Sequence, residues 1–160
     1  MKNTSRFLAA AAVALVASAA QAQTATQTVT FQVDAINQLS VSGTPSLSIT
    51  TATAGSAPTT VTSTGNTWAV TTNQSTAKVT ASIASAMPTG LTLSAQMSAP
   101  SGATSTGLKS LSTTAVDMVT GITKLNASGL SLSYQLDATA AAGVVASSTR
   151  VVTFTITGGV

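Results

Sequence analysis

The chain is 160 residues long, and 44% of its residues are hydrophobic, whereas only 6% are charged and 3% are aromatic. It contains no Cys, no His and no Glu, and its acidic residues are Asp34, Asp117 and Asp137. An average soluble domain carries about 25% charged residues, so this composition is unusual. It excludes thiol nucleophiles, histidine bases, His/Cys metal sites and glutamate acid/base pairs. The composition therefore argues against catalysis.

The first 22 residues have the pattern of a secretory signal peptide. Lys2 and Arg6 are basic, residues 7–16 form an apolar run, and Ala20-Gln21-Ala22 offers the small-x-small pattern that signal peptidases accept. An uncleaved membrane anchor is the alternative, but the apolar stretch is shorter than the roughly 20 residues needed to span a bilayer. We expect an N-terminal signal helix in residues 1–22, export, and no membrane span after cleavage.

Cleavage would leave residues 23–160 as a single domain. Its four cations face three Asp residues, so its net charge is 4 − 3 = +1. No basic patch is present to bind nucleic acid or an anionic membrane. Without Cys, an exported chain has no disulfides and must rely on its core. A domain of this size buries about 70% of the surface that its unfolded chain exposes, which is enough to stabilise a fold without disulfides.

Short runs of alternating apolar and polar residues predict β-strands along the mature chain. Turn signals such as Asn73-Gln74-Ser75, Pro88-Thr89-Gly90 and Pro100-Ser101-Gly102 separate several of them. The predicted runs, in chain order, are residues 28–34, 39–41, 46–50, 68–72, 79–83, 91–97, 130–136 and 152–156. Residues 112–122 are ambiguous: Val116, Val119 and Ile122 fit a helical face, whereas Val116 and Met118 fit a strand, which we favour.

Alternation in short runs is typical of antiparallel sheets with one buried face. The fold prediction is therefore all-β: an antiparallel immunoglobulin-like β-sandwich of seven or eight strands, following the signal helix. Trp68 and Tyr134 are the two aromatic residues with a polar group. Each is in phase with apolar neighbours, which favours a core position, whereas an exposed ring would favour a platform for binding sugars.

No catalytic, cofactor or metal site is predicted. Ser75 and Lys78 match the Ser-x-x-Lys motif of penicillin-recognising enzymes, but they lie in a predicted hairpin turn and the partner motifs of that chemistry are missing. The three Asp residues are far apart in sequence, whereas a Ca²⁺ site needs several converging oxygen ligands. Asp117 and Asp137 would have to meet across strands, and the simpler interpretation is that each is a solvated charge.

The two ends of the mature chain carry similar segments. Residues 28–33 read TVTFQV and residues 151–156 read VVTFTI. One interpretation is that both are ordinary strands drawn from a small set of residue types. The other is that they are terminal strands, one of which pairs between subunits. In that case Val29, Phe31 and Val33 would fill alternate pockets of a neighbour, and residues 151–156 are the less favoured donor.

The signal pattern, the Cys-free Ser/Thr/Ala-rich body and the VTFTIT strand near the C-terminus resemble small exported bacterial sandwich proteins. Some filament and pilus subunits have this general look. The resemblance covers most of the mature chain but includes no diagnostic motif. The chain departs from chaperone–usher pilins because it lacks their usual disulfide pair. The resemblance implies a structural role and transfers no site residues.

Two functional hypotheses follow. The first is a non-enzymatic structural protein that associates with itself at the cell surface, in a filament or in an extracellular matrix, through terminal β-strand pairing. Its nearly charge-free surface offers little repulsion to self-association. The second is a monomeric adhesion module that binds a glycan or a surface partner. Both place the protein outside the cell or on its surface, with the periplasm as a further compartment.

Overall fold

The computed structural model describes residues 22–159, so the predicted signal peptide lies outside the described residues apart from Ala22. Within this range the chain forms nine strands and one 3-10 turn at Ala140–Ala142. The strands are β1 (Asn37–Ser42), β2 (Val61–Thr72), β3 (Ser75–Ile83), β4 (Leu91–Met97), β5 (Thr104–Ser105), β6 (Lys109–Ser110), β7 (Val116–Ile122), β8 (Leu125–Ala138) and β9 (Val152–Gly159).

The chain divides into two units, Met1–Gln32 and Val33–Val160. In the first unit, residues 22–32 form neither helix nor strand, and their side chains are exposed. The second unit contains all nine strands. The strand predicted at residues 28–34 is therefore absent. Alternation marks which side chains share a face, but a strand also needs a neighbour whose N–H and C=O groups complete the hydrogen bonds.

The strands of the second unit form two antiparallel sheets, which confirms the all-β prediction. The first sheet has the order β1-β2-β8-β4-β6, and the second has the order β5-β7-β3-β9. Strands β2 and β3 belong to different sheets although two residues separate them. The turn signal at Asn73-Gln74-Ser75 marks the point where the chain passes from one sheet to the other. The hairpin turn predicted at residues 75–78 is wrong, because these residues begin β3.

Both sheets contribute side chains to one apolar core. The indole N–H of Trp68 donates a hydrogen bond to the carbonyl of Ser98 at 3.2 Å, which satisfies the one polar atom of that side chain. The fully buried side chains of largest volume come from β2, β3, β4, β7 and β8: Trp68, Val79, Met97, Met118, Val119, Ile122 and Leu132. Alternation thus identified the inward faces of β2, β3, β4 and β8, whereas in β7 the adjacent side chains of Met118 and Val119 are both buried.

Several strand boundaries differ from the sequence-based expectation. Residues 46–50 are not a strand, although Ala52 and Pro58 form an isolated bridge nearby. Strand β8 begins at Leu125, earlier than expected, and its ladder with β2 changes register between Trp68 and Val70. Gly129 lies at this irregularity with φ +66°, a conformation that glycine adopts without a steric cost. No helix within residues 22–159 has the length and apolar character to cross a bilayer.

Candidate assembly interface

The two sheets have four edge strands, and two of these edges are long. Strands β5 and β6 are two residues long, and β6 carries Lys109. Short edge strands and lysines are devices that prevent edge-to-edge pairing. Strands β1 and β9 have six and eight residues and no charged side chain. The described part of the second unit therefore has two open edges, β1 and β9.

The backbone of β9 presents unpaired groups on the side away from β3. Val152, Phe154 and Ile156 lie opposite Ile83, Ala81 and Val79 of β3. The N–H of Ala84 donates to the carbonyl of Val151 at 3.0 Å. Because antiparallel ladders alternate, the N–H and C=O groups of Val152, Phe154 and Ile156 point away from β3. Within residues 33–159, no strand pairs with that side of β9.

The side chains of β9 alternate between the core side and the solvent side of the sheet. Val152, Phe154 and Ile156 are half-buried and pack against the core. The intervening threonines are exposed: Thr153, Thr155 and Thr157. An incoming strand that continued this sheet would therefore meet an apolar row on the core side and a hydroxyl row on the solvent side.

Strand β1 offers a second open edge close to the first. The N–H of Asn73 donates to the carbonyl of Ile36 at 3.3 Å, so the backbone groups of Leu39 and Val41 point away from β2. Val41 is 48% exposed. Strands β1 and β9 approach within 8 Å between Cα atoms, but they belong to different sheets. The start of β1, at Asn37, thus lies close to the end of β9, at Gly158.

A small polar cluster holds the start of β1 beside the end of β9. The amide of Asn37 donates to Oε1 of Gln74 at 3.0 Å, and the hydroxyl of Thr72 donates to Oδ1 of Asn37 at 2.7 Å. A methyl group at Gly158 would overlap Oε1 of Gln74 and would lie 2.5 Å from Nδ2 of Asn37. Because glycine lacks this methyl group, β9 can lie against the polar cluster at this position.

Asn73 fixes the chain just before β1. Its Nδ2 donates to the carbonyl of Asp34 at 2.7 Å, and its Oδ1 accepts the N–H of Ile36 at 2.8 Å. Together with its backbone bond to Ile36, these contacts hold residues 34–36 against the turn between β2 and β3. The sequence marked Asn73 as a turn residue but gave no sign of this second role.

The predicted donor side chains are highly exposed. In the first unit Val29 is 73% exposed and Phe31 is 89% exposed, and Val33 of the second unit is 77% exposed. Single exposed apolar residues are common on proteins, whereas a contiguous apolar row marks an interaction surface. Residues 28–33 are therefore an apolar row with alternating polar neighbours, and they form no strand within the described part of the chain.

Both candidate ligand aromatics are buried. Trp68 is 1% exposed and Tyr134 is 7% exposed, so neither ring offers a face on which a sugar could stack. Burial removes water from the phenol of Tyr134 and raises its pKa above the usual value, because the phenolate loses its solvation. These two residues belong to the core and do not form a ligand site with each other.

The acidic residues take part in local surface contacts. Asp117 lies 3.0 Å from Nζ of Lys78, and both side chains are nearly half exposed. Asp137 accepts hydrogen bonds from Thr60 at 2.6 Å and from Gln135 at 2.9 Å. Asp117 and Asp137 lie on strands of different sheets. Among residues 22–159 there is no cluster of three or more His, Cys, Asp or Glu side chains that could hold a metal ion.

The Ser-x-x-Lys motif lacks the geometry of its enzymatic counterpart. Ser75 and Lys78 lie in the first residues of β3, not at the start of a helix. The ammonium of Lys78 contacts Asp117. In the penicillin-recognising arrangement, the lysine lies one helical turn after the serine and reaches its hydroxyl. The extended chain at this position does not provide that arrangement.

A shallow depression lies near the start of β1. Its volume is about 430 Å³, and it is open to solvent. Lys124 is the one charged residue among its lining residues: Ile36, Thr71, Thr72, Asn73, Lys124, Leu125 and Asn126. It offers amides, hydroxyls and one cation, but no aromatic ring.

Comparison with known proteins gives no relative for this chain: no family model, no curated protein and no solved structure matches it.

Proposed function

We propose that this chain is a non-enzymatic, exported structural protein that associates with itself through terminal β-strand pairing. Its place would be the cell surface, an extracellular matrix or a filament, with the periplasm as a further compartment. The two sheets would form an immunoglobulin-like sandwich, as in the small exported bacterial proteins that the sequence resembles. The observation that carries the proposal is the exposed apolar row of Val29, Phe31 and Val33.

The apolar row supplies a driving force for association. Burying a Val or Phe side chain stabilises by roughly 1.5–3 kcal/mol, so three such residues contribute about 4.5–9 kcal/mol before the costs of association. Each backbone hydrogen bond to an open edge adds about 0.5–1.5 kcal/mol. Association costs about 4–15 kcal/mol in lost freedom of motion. The balance predicts association that depends on protein concentration.

The charge distribution does not oppose this association. Residues 28–33 and β9 contain no ionisable side chain, and the mature chain would have a net charge of 4 − 3 = +1. Proteins with a large net charge repel their own copies, whereas a net charge near zero promotes association. The composition that excludes most catalytic chemistry thus suits a self-associating subunit.

The alternative function, a monomeric adhesion or glycan-binding module, has one supporting observation. The depression near Lys124 could hold a small polar ligand through its amide and hydroxyl groups. The burial of Trp68 and Tyr134 weighs against sugar stacking. The assembly proposal accounts for the exposed row of Val29, Phe31 and Val33, and the adhesion alternative leaves it unused.

The test replaces Val29, Phe31 and Val33 with serine in the exported protein and measures particle mass by light scattering. We expect the polymers of the unmodified protein to be lost, because the apolar row no longer gains from burial. The matched control replaces Thr28, Thr30 and Gln32 with serine, which keeps the apolar row, and it should polymerise. Deletion of residues 23–33 should also abolish assembly. Unchanged polymers in the deletion variant would show that residues 28–33 do not donate a strand.

A further inference from the structure

We propose that the acceptor for residues 28–33 is the open edge of β9 in a second copy of this chain. The incoming segment would run antiparallel to β9 with Phe31 opposite Phe154, and it would add a fifth strand to the sheet β5-β7-β3-β9. This inference rests on the proposed self-association. It adds the acceptor strand, the direction and the register.

Strand β9 has the properties of an acceptor. It is eight residues long and uncharged, and its edge presents the backbone groups of Val152, Phe154 and Ile156. An added strand gains affinity from these main-chain groups and specificity from alternate side chains. The opposite edge of the same sheet, β5, is two residues long and too short to align six donor residues.

The side-chain patterns match in this register. Phe31 opposite Phe154 places Val29 opposite Ile156 and Val33 opposite Val152. The donor's apolar row then continues the half-buried row of β9.

The same register aligns the polar rows. Thr28, Thr30 and Gln32 would face solvent next to the exposed threonines of β9. Cross-strand Thr–Thr pairs stabilise antiparallel sheets. One register therefore satisfies both faces of the added strand, and a shift by one residue would turn the apolar row to solvent.

The strand pairs of the described residues favour the antiparallel direction. Every strand pair in both sheets is antiparallel, and antiparallel pairing is slightly more stable per residue than parallel pairing.

The absence of Cys in the chain allows a direct test of this register. In the proposed pairing Thr30 and Thr155 are opposite each other at a non-hydrogen-bonded position, where Cα atoms are about 4.5 Å apart. This separation is within the range for a disulfide. A mixture of isotopically labelled T30C and unlabelled T155C protein, mildly oxidised at an assembling concentration, should form the mixed disulfide.

Three control partners for T30C define the geometry. T153C would react best in the parallel register, S40C would react if the donor paired with β1, and T104C reports on the β5 edge. We expect the yield of mixed disulfide with T155C to exceed that with each control by at least roughly tenfold, because directly opposite residues are much closer than diagonal or distant ones. A higher yield with S40C, T153C or T104C would overturn the inference.

The outcomes separate this inference from the proposed function. Polymers that lack the Thr30–Thr155 crosslink would overturn the acceptor assignment and leave self-assembly standing. A T30C/T155C double variant that closes an internal disulfide as a monomer would show that the segment folds back on its own β9, which also overturns the inference. If the unmodified protein forms no polymers at any concentration, the proposed function and the inference fail together.

A charge on the acceptor edge gives a second, independent test. Replacing Thr153 and Thr155 with lysine puts two cations on the solvent face of β9, a common device against edge pairing. We expect assembly to require at least roughly tenfold more protein, while the emission of buried Trp68 stays unchanged. T104K/S110K carries the same added charge on the short edges and should assemble normally. Unimpaired assembly of the β9 variant would overturn the assignment.

Discussion

Residues 28–33 and residues 151–156 have nearly the same sequence pattern but different environments. Phe154 lies opposite Ala81 of β3 and packs against the core. Phe31 is 89% exposed and belongs to no strand. The comparison shows that alternation determines which side chains share a face, whereas strand formation depends on an available partner edge. A segment that has the pattern of a strand but forms none among residues 22–159 is suited to pair with another chain.

The largest predicted difference between the two segments is in stability. Phe154→Ala should lower the free energy of unfolding by about 2–3 kcal/mol, because it removes a half-buried ring from the core margin. Phe31→Ala should change it by less than about 0.5 kcal/mol in the monomer, because its ring is already in water. Urea unfolding at a non-assembling concentration measures both. Equal losses of unfolding free energy would mean that Phe31 packs within its own chain, which would contradict the difference between the two segments.

A smaller effect is expected at Gly158, where β9 passes the start of β1. Gly158→Ala should destabilise by about 1–2 kcal/mol, because the new methyl group overlaps the side chain of Gln74 and disturbs its bond to Asn37. Thr157→Ala, at the neighbouring exposed position, is the matched control and should cost less than about 0.5 kcal/mol. If Gly158→Ala lowered the free energy of unfolding no more than Thr157→Ala does, the polar cluster would not fix this end of β9.

The third prediction concerns how the stability of the fold depends on pH through Tyr134, whose ring is buried whereas that of Phe31 is exposed. The pKa of Tyr134 is raised by burial, so the folded protein holds the phenol proton more tightly than the unfolded chain does. The stabilising contribution is fully present below pH 10, the usual value, and is lost as the pH rises through the folded-state value. Urea midpoints should therefore fall above about pH 10, and Tyr134→Phe should remove that part of the decline. An identical decline in Y134F would exclude Tyr134 as its source.

The sequence predicted the strands that bury one face. Leu91–Met97 matches its predicted run of residues 91–97 in full, and β3 and β9 include the runs expected for them. The strand interpretation of the ambiguous stretch also agrees with β7, which covers Val116–Ile122. In β3, β4 and β9 the apolar side chains of alternate residues pack in or against the core, so the period of two is clear, whereas in β7 two adjacent residues are buried. Residues 61–67 of β2 were missed because most of them are polar and only Asn66 among them is buried.

The candidate interface was only partly predictable. Alternation identified Val29, Phe31 and Val33, but the open edges of β1 and β9 depend on strand order, which arises from contacts between residues far apart in sequence. The two-residue strands β5 and β6 carry no periodic signal, although they close the opposite edges. Residues 46–50 alternate like a strand but find no partner in the structure. Local sequence indicates which side chains share a face of a strand, but it does not indicate which other strand pairs with it.

Self-association is tested most directly by the molar mass of residues 23–160, measured by size exclusion with light scattering over a wide range of concentrations. We expect polymers whose mass rises with protein concentration and which disappear when Val29, Phe31 and Val33 are replaced by serine. A strict monomer at the highest concentration would contradict self-assembly as the primary role and would favour the monomeric binding module instead.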